Sequence, residues 1–170
     1  MPFDIRADIA EIPRETEQVS EFTFEIALAK KVKDLRAAPE LDEAAIAAAE
    51  AELKAATYVA QIHSVPRGQR EDIYAESLDK FPAKPSVFGQ DEKANFLRGN
   101  FVRVAIVAAA IDKITNPKGE VNDTEELILA TVEYLHNEAP DQIFAKIERD
   151  VNALNEKEDA QDVLHKSADF

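Results

Sequence analysis

Residues 91–115, with the sequence DEKANFLRGNFVRVAIVAAAIDKIT, carry the most apolar helical pattern in the chain. Their large apolar side chains point in nearly every direction around a helix axis, which is typical of a helix buried on most sides. These side chains are Phe96, Leu97, Phe101, Val102, Val104, Ile106, Val107, Ile111 and Ile114. We therefore predict a central, largely buried helix over this range, with Phe101 and Ile106 in the core.

Two further helices are predicted to pack against this one. Residues 116–119 (NPKG) form a turn, and Asn122 with Glu125 has the spacing of a capping box that opens a helix over residues 123–138. Pro140 opens the last helix, residues 140–155, in which large apolar residues recur at helical spacing.

Two helices are also predicted on the N-terminal side. Residues 41–56 are rich in alanine and follow Pro39 with acidic residues in the first turn, where they complement the helix dipole. This helix has few large apolar residues, so we expect it to act as a packing strut or spacer. The next helix begins at Pro66 and ends near Phe81.

Between these two helices, residues 57–65 (TYVAQIHSV) alternate like a half-buried strand. One face of this strand carries Tyr58, Ala60 and Ile62, and the other carries Gln61 and His63. A single strand needs a partner, which is either residues 22–28 or the edge of another subunit. Residues 22–28 fit both a strand and a helical stripe, and we favour a short strand that turns into a helix near Ala29.

These elements predict a mainly α fold with a small β element, as a compact helical domain with an N-terminal arm. The arm, or strand and helix segment, covers residues 1–38, the helical core domain covers residues 39–157, and an acidic tail covers residues 158–170.

The composition limits the classes of partner. The chain has 34 acidic and 20 basic residues, and its formal net charge of -14 repels phosphate backbones and anionic lipids. We therefore expect neither nucleic acid nor membrane as a partner. The chain has no cysteine, and its longest apolar stretch, residues 104–111, is too short to span a bilayer. With no signal-like N-terminus, these features predict a cytoplasmic protein.

No pattern of catalytic, cofactor-binding or metal-binding residues is found, so we predict that the protein is not an enzyme and needs no cofactor. The four glycines are scattered singly and the three histidines lie far apart. His63 is interpreted as a partly exposed strand residue. In residues 67–70 (RGQR), we favour a polar helix start over an anion site, with the arginines paired with Glu71 and Asp72 or with a neighbouring chain. For Arg103, a buried carboxylate partner is favoured over contact with another protein.

Residues 41–157 resemble the siphophage tail assembly chaperone family, in its short form without a frameshift extension. The resemblance rests on the order of the elements and on the turns that close them. These turns are Val65-Pro66-Arg67, Phe81-Pro82, Asn116-Pro117 and Leu154-Asn155.

The resemblance implies a protein that binds the phage tape measure protein in the host cytoplasm and keeps it soluble until tail tube subunits displace it. It would be absent from the mature virion, and the tail tube protein is a possible second partner. Copies of the chain are expected to associate with one another, because an isolated strand and an alanine-faced helix both gain from such contacts.

A helical client would contact apolar side chains that remain after the core is filled. The predicted contacts are Phe81, Phe88, Leu129 and Phe144. Phe81 and Phe88 flank a proline-rich loop, Leu129 lies at the edge of its helix's apolar stripe, and Phe144 is also a candidate for the core.

Two other functions are open. A virion structural protein, such as a head-tail connector or neck component, would use the same helices in a permanent ring. A small acidic inhibitor or adaptor would concentrate its acids on one face, whereas here they are spread over every predicted helix.

Overall fold

The computed structural model describes residues 17–84 and 91–168, and in these ranges six helices pack with a four-stranded sheet. The predicted mainly α fold with a small β element is confirmed. The strands are β1 (Glu17–Phe22), β2 (Tyr58–His63), β3 (Ile111–Thr115) and β4 (Val121–Asn122). The helices are α1 (Ile26–Arg36), α2 (Glu43–Lys54), α3 (Arg67–Lys80), α4 (Glu92–Ala109), α5 (Glu125–Asn137) and α6 (Asp141–Ala168).

The sheet is antiparallel with the strand order β1-β2-β3-β4. Ala60 in β2 lies opposite Ser20 in β1 and Ile114 in β3, and these three side chains are buried. The predicted division of residues 57–65 into two faces is found in β2, where Ala60 and Ile62 are buried and Gln61 is exposed. Both partners of β2 come from this chain, so the strand does not depend on another subunit.

Strand β1 lies earlier in the chain than predicted. Residues 22–28 were expected to form the strand, but β1 ends at Phe22 and α1 already begins at Ile26. The inward side chains of β1 include Ser20, whose hydroxyl donates a 2.6 Å hydrogen bond to the carboxylate of Asp150. A polar side chain on the inner face conceals the alternation of apolar and polar residues that marks a half-buried strand.

The predicted helix over residues 91–115 is wrong at its C-terminal end. Helix α4 ends at Ala109, and the last five residues form β3 instead. The β-branched residues Ile111, Ile114 and Thr115 suit a strand, and β3 pairs with the edge of β2 that β1 leaves free. The helix is also less buried than predicted, because only Ala94 and Val107 are fully buried while Phe101 and Ile106 are half-buried.

The core lies between the sheet and helices α5 and α6. Both helices place buried side chains at spacings of three or four residues, which is the pattern of one apolar helix face. The buried residues of these helices are Ile128, Val132, Leu135, Ile143, Phe144, Ile147, Val151 and Leu154. Burial of one such side chain contributes about 1.5–3 kcal/mol, so this face fixes both helices on the sheet.

Helices α1 and α2 form a hairpin that is mostly exposed. They pack on each other, and each buries one residue, Val32 in α1 and Ala49 in α2. The side chain of Asp42 caps α2 by accepting a 3.0 Å hydrogen bond from the backbone N–H of Ala45. The predicted role of α2 as a strut or spacer agrees with this low burial.

Two boundaries near the C-terminus differ from the predictions. Helix α5 is capped by Thr124, whose side-chain oxygen accepts from Leu127 N, while Asn122 lies in β4, so the predicted capping box is wrong. Helix α6 continues to Ala168, beyond residue 155, where the last helix was predicted to end.

Candidate partner-binding groove

An open groove of ≈ 650 Å³ lies between α3, α4 and α5. Helix α4 packs against both of the other helices and forms the floor. The apolar residues that line the groove are Ile73, Phe101, Ala105, Ala108, Ala109, Ile111, Ile128 and Leu129. Because three of the floor residues are alanines, the backbone of α4 is accessible to a partner.

The rim of this groove is acidic. Its polar lining residues are His63, Gln69, Glu76, Lys80, Asp112, Asp123 and Glu125. Among the described residues that line the groove, four carboxylates therefore face one lysine. The ammonium group of Lys80 lies 4.7 Å from the ring centroid of Phe101, and Nδ1 of His63 lies 3.2 Å from a carboxylate oxygen of Asp112. The groove thus combines an apolar floor with a negative rim.

One of the predicted contact residues lines this groove, and a second packs beside it against a floor residue. Leu129 lines it and is 42% exposed. Phe81 is half-buried and packs edge-on against the floor residue Phe101, with 6.0 Å between the ring centroids. A hydrogen bond of 2.8 Å from Nε of Arg98 to the carbonyl oxygen of Phe81 holds the end of α3 in this position.

The other two predicted contacts do not join them. Phe88 lies outside the described residues. Phe144 is only 3% exposed and packs in the core against the ring of His136, at 4.8 Å between centroids. Its burial leaves almost no side-chain surface for a partner, so Phe144 belongs to the core.

Sequence reasoning missed most of the groove floor. Phe101 was assigned to the core, and Ala105, Ala108 and Ala109 were counted only as part of an apolar helix. The available signal was the spacing of these three alanines, which places them on one side of α4 where a large side chain would otherwise fill the space. The contribution of Ile73 from α3 has no comparable signal, because it depends on how α3 packs against α4.

The charged residues singled out in the sequence are paired. Arg103 forms two hydrogen bonds with Glu148, of 2.6 and 2.7 Å, which raise the pKa of the guanidinium. The predicted pairing with a carboxylate is confirmed, but the partner was predicted to be buried and Glu148 is partly exposed. Arg67 pairs with Glu71 at 2.9 Å as predicted, whereas Arg70 pairs with Asp159 of α6 at 2.6 Å. Both arginines of residues 67–70 therefore have carboxylate partners.

Two of the segments on which the family resemblance rests are in contact, although Leu154-Asn155 lies within α6 and is not a turn. The backbone N–H of Val65 donates a 2.7 Å hydrogen bond to the side-chain oxygen of Asn155. Val65 is fully buried and precedes Pro66, at the junction of β2 and α3. Val65 and Asn155 thus form one buried contact between the end of β2 and α6.

Residues 17–84 and 91–168 contain no group of three or more histidine, aspartate or glutamate side chains arranged to hold a metal ion. Within the same ranges, no helix combines the length and the apolar character that crossing a membrane requires. Comparisons of the chain with protein-family models, with curated proteins and with solved structures find no match.

Proposed function

We propose that this protein is a tail assembly chaperone of a long-tailed phage, which binds the tape measure protein in the host cytoplasm and keeps it soluble until the tail tube polymerises. The observation that carries the proposal is the ≈ 650 Å³ groove with an apolar floor and an acidic rim. The resemblance of residues 41–157 to that family supplies the identity of the client.

The groove has the dimensions and chemistry for a helical client. The lining residues of α4 run from Phe101 to Ala109, about 12 Å along the helix axis, which is enough to contact about two turns of a bound helix. An amphipathic helix binds in such a groove through apolar anchors spaced three or four residues apart. The alanines of the floor let the client approach closely, while Phe101 and Leu129 provide larger contact surfaces.

Charge favours a particular kind of client and keeps the complex in solution. Four carboxylates at the rim favour basic residues on the flanks of the bound helix. The net charge of -14 opposes aggregation when many copies coat one extended client. Association between copies would add avidity, and the exposed alanines of α2 are the candidate surface for it. Light scattering should detect this association as a species larger than a monomer.

The test is co-expression of the tape measure protein with this chain and with two matched variants. Leu129→Glu places a charge in the groove, whereas Leu127→Glu changes a residue of the same helix that is also exposed, at 48%, but does not line the groove. One large apolar anchor contributes about 2 kcal/mol, so its loss weakens a micromolar interaction by roughly 30-fold. We expect wild type and Leu127→Glu to keep the client soluble and Leu129→Glu to lose this ability.

Two outcomes would contradict the proposal in different ways. A tape measure protein that stays soluble without this chain would refute the chaperone function. Rescue by Leu129→Glu equal to that by wild type would leave the function standing but refute the groove as its site. Recovery of the chain from purified virions, measured by mass spectrometry, would instead favour a head-tail connector or neck component.

A further inference from the structure

Four aromatic side chains meet where β1 leads into α1. The rings of Phe22 and Tyr58 are stacked, with centroids 5.3 Å apart, and the ring of Phe24 stands nearly perpendicular to both, at 6.1 Å and 5.2 Å. Tyr134 of α5 approaches Phe24 from the other side at 6.5 Å. Phe22 is buried, whereas Phe24 and Tyr134 are exposed. The cluster therefore has a buried base and two walls open to solvent.

These rings line a pocket of ≈ 170 Å³, far smaller than the groove between α3, α4 and α5. The rest of the lining combines the buried apolar residues Ile114 and Leu135 with a polar wall of Asn116, Glu120, Asn122 and Thr131. The amide nitrogen of Asn116 donates a 2.6 Å hydrogen bond to one carboxylate oxygen of Glu120 and so fixes this acid at the turn between β3 and β4. The side-chain oxygen of Asn116 accepts hydrogen bonds from the backbone N–H groups of Lys118 and Glu120, both at 2.9 Å, which hold the turn itself.

We infer that this aromatic pocket binds a single lysine or arginine side chain of a protein partner. The size of the pocket suits one side chain rather than a helix. The faces of aromatic rings attract cations, and a carboxylate on the opposite wall adds a direct ionic contact. An apolar occupant would desolvate the Glu120 carboxylate without giving it a cationic partner, which costs free energy. The net charge of -14 further draws a basic partner to this surface.

This binding site is separate from the groove and does not rest on the proposed function. The pocket is lined by β1, β2, the β3–β4 hairpin and α5, and it shares no lining residue with the groove. A partner of any class that presents an exposed arginine or lysine could use it.

The experiment is an NMR titration of the full chain with Nα-acetyl-arginine amide, using Nα-acetyl-citrulline amide as a neutral probe of the same shape. We expect the arginine probe to shift the ring resonances of Phe24, Tyr58 and Tyr134 in a saturable manner, with about tenfold tighter binding than the citrulline probe. Equal affinity for the two probes, or no saturable shift with the arginine probe, would overturn the inference.

Two variants locate the interaction. Tyr134→Leu keeps an apolar side chain but removes the ring, and because Tyr134 is 50% exposed the fold should tolerate the change. Glu120→Gln keeps the shape of the wall and removes its charge. Each should weaken arginine binding several-fold, whereas Tyr74→Leu, a matched change of an exposed tyrosine on α3, should leave it unchanged. Unchanged affinity in both pocket variants would place the binding elsewhere and refute the site.

Discussion

The hydrogen bond between Val65 and Asn155 gives a specific prediction about stability. Asn155 is 3% exposed, and its side-chain oxygen accepts from the backbone N–H of Val65 at 2.7 Å. The change Asn155→Leu preserves approximate volume but removes this acceptor. Val65 itself is fully buried, so its N–H would be left without water or a protein acceptor.

The expected loss follows from the cost of a buried, unsatisfied donor. Leaving such a group unpaired costs about 1–3 kcal/mol, and the added apolar surface of leucine recovers part of it. We therefore expect the free energy of unfolding to fall by about 1–2 kcal/mol. For a chain of this size the melting temperature would fall by about 3–6 °C.

Two measurements test this reasoning. Urea unfolding should show a lower midpoint with an unchanged m-value, and hydrogen exchange should show faster exchange at the Val65 amide than in wild type. The matched control is Asn152→Leu, an exposed position on the same helix, which should change stability by less than about 0.5 kcal/mol. An Asn155→Leu protein as stable as wild type, with its Val65 amide still protected, would refute the argument.

Three further predictions concern the packing of α4 and α6. Replacing Arg103 by Met should cost about 0.5–1 kcal/mol, because it removes the partly exposed pair with Glu148, and 1 M salt should reduce the difference between the two thermal melts. Burial alone would raise the pKa of the Asp150 carboxyl, but hydrogen bonds from Ser20 and Lys146 bring it below its ordinary value. The carboxylate therefore stabilises the fold above its unfolded pKa, and this stabilisation is lost as the pH falls through its folded pKa. Ser20→Ala should therefore cost about 1–2 kcal/mol at pH 7 and less at pH 3 in urea unfolding; equal costs at the two pH values would contradict it. Phe101→Ala should cost about 1–2 kcal/mol, less than the 2–5 kcal/mol expected of a fully buried position, and an unchanged melting curve would show that the ring contributes nothing to packing.

The sequence predicts those elements whose ends are marked locally. Pro66 and Pro140 directly precede the first residues of α3 and α6, and Asp42 caps α2 with its side chain. In β2, the alternation of Ala60 and Ile62 with polar residues reports its two faces directly. Signals of this kind lie within a few residues of the feature that they determine, so no knowledge of the tertiary structure is needed.

The strands β1 and β3 depend on contacts distant in sequence. Ile111 and Ile114 continue the apolar pattern of α4, and neither glycine nor proline marks the helix end at Ala109. The choice of strand is made by pairing with β2, where Ile114 lies opposite Ala60 about 50 residues earlier in the chain. Such pairing overrides a local helical pattern and cannot be read from a window of ten or twenty residues.

The groove illustrates the same limit for function. On α5, Ile128 and Val132 face the core, and Leu129 lies at the edge of the apolar stripe, so its exposure follows from helical spacing alone. On α6, Phe144 shares a wide stripe with Ile143 and is enclosed, because the helix has the sheet on one side and other helices on another. Whether an apolar residue is core or contact surface thus depends on how many neighbours its helix has.

The alanines of α4 connect this packing to the proposed function. A helix between two others normally fills the space between them with large side chains, since protein interiors are closely packed. Ala105, Ala108 and Ala109 leave that space open along one side of α4, while the same helix contributes the fully buried Val107 to the core. Contacts in the core therefore fix one side of the helix, and the space beside its other side remains unfilled. A partner that inserts apolar side chains there would complete a packing arrangement that the chain leaves incomplete by itself.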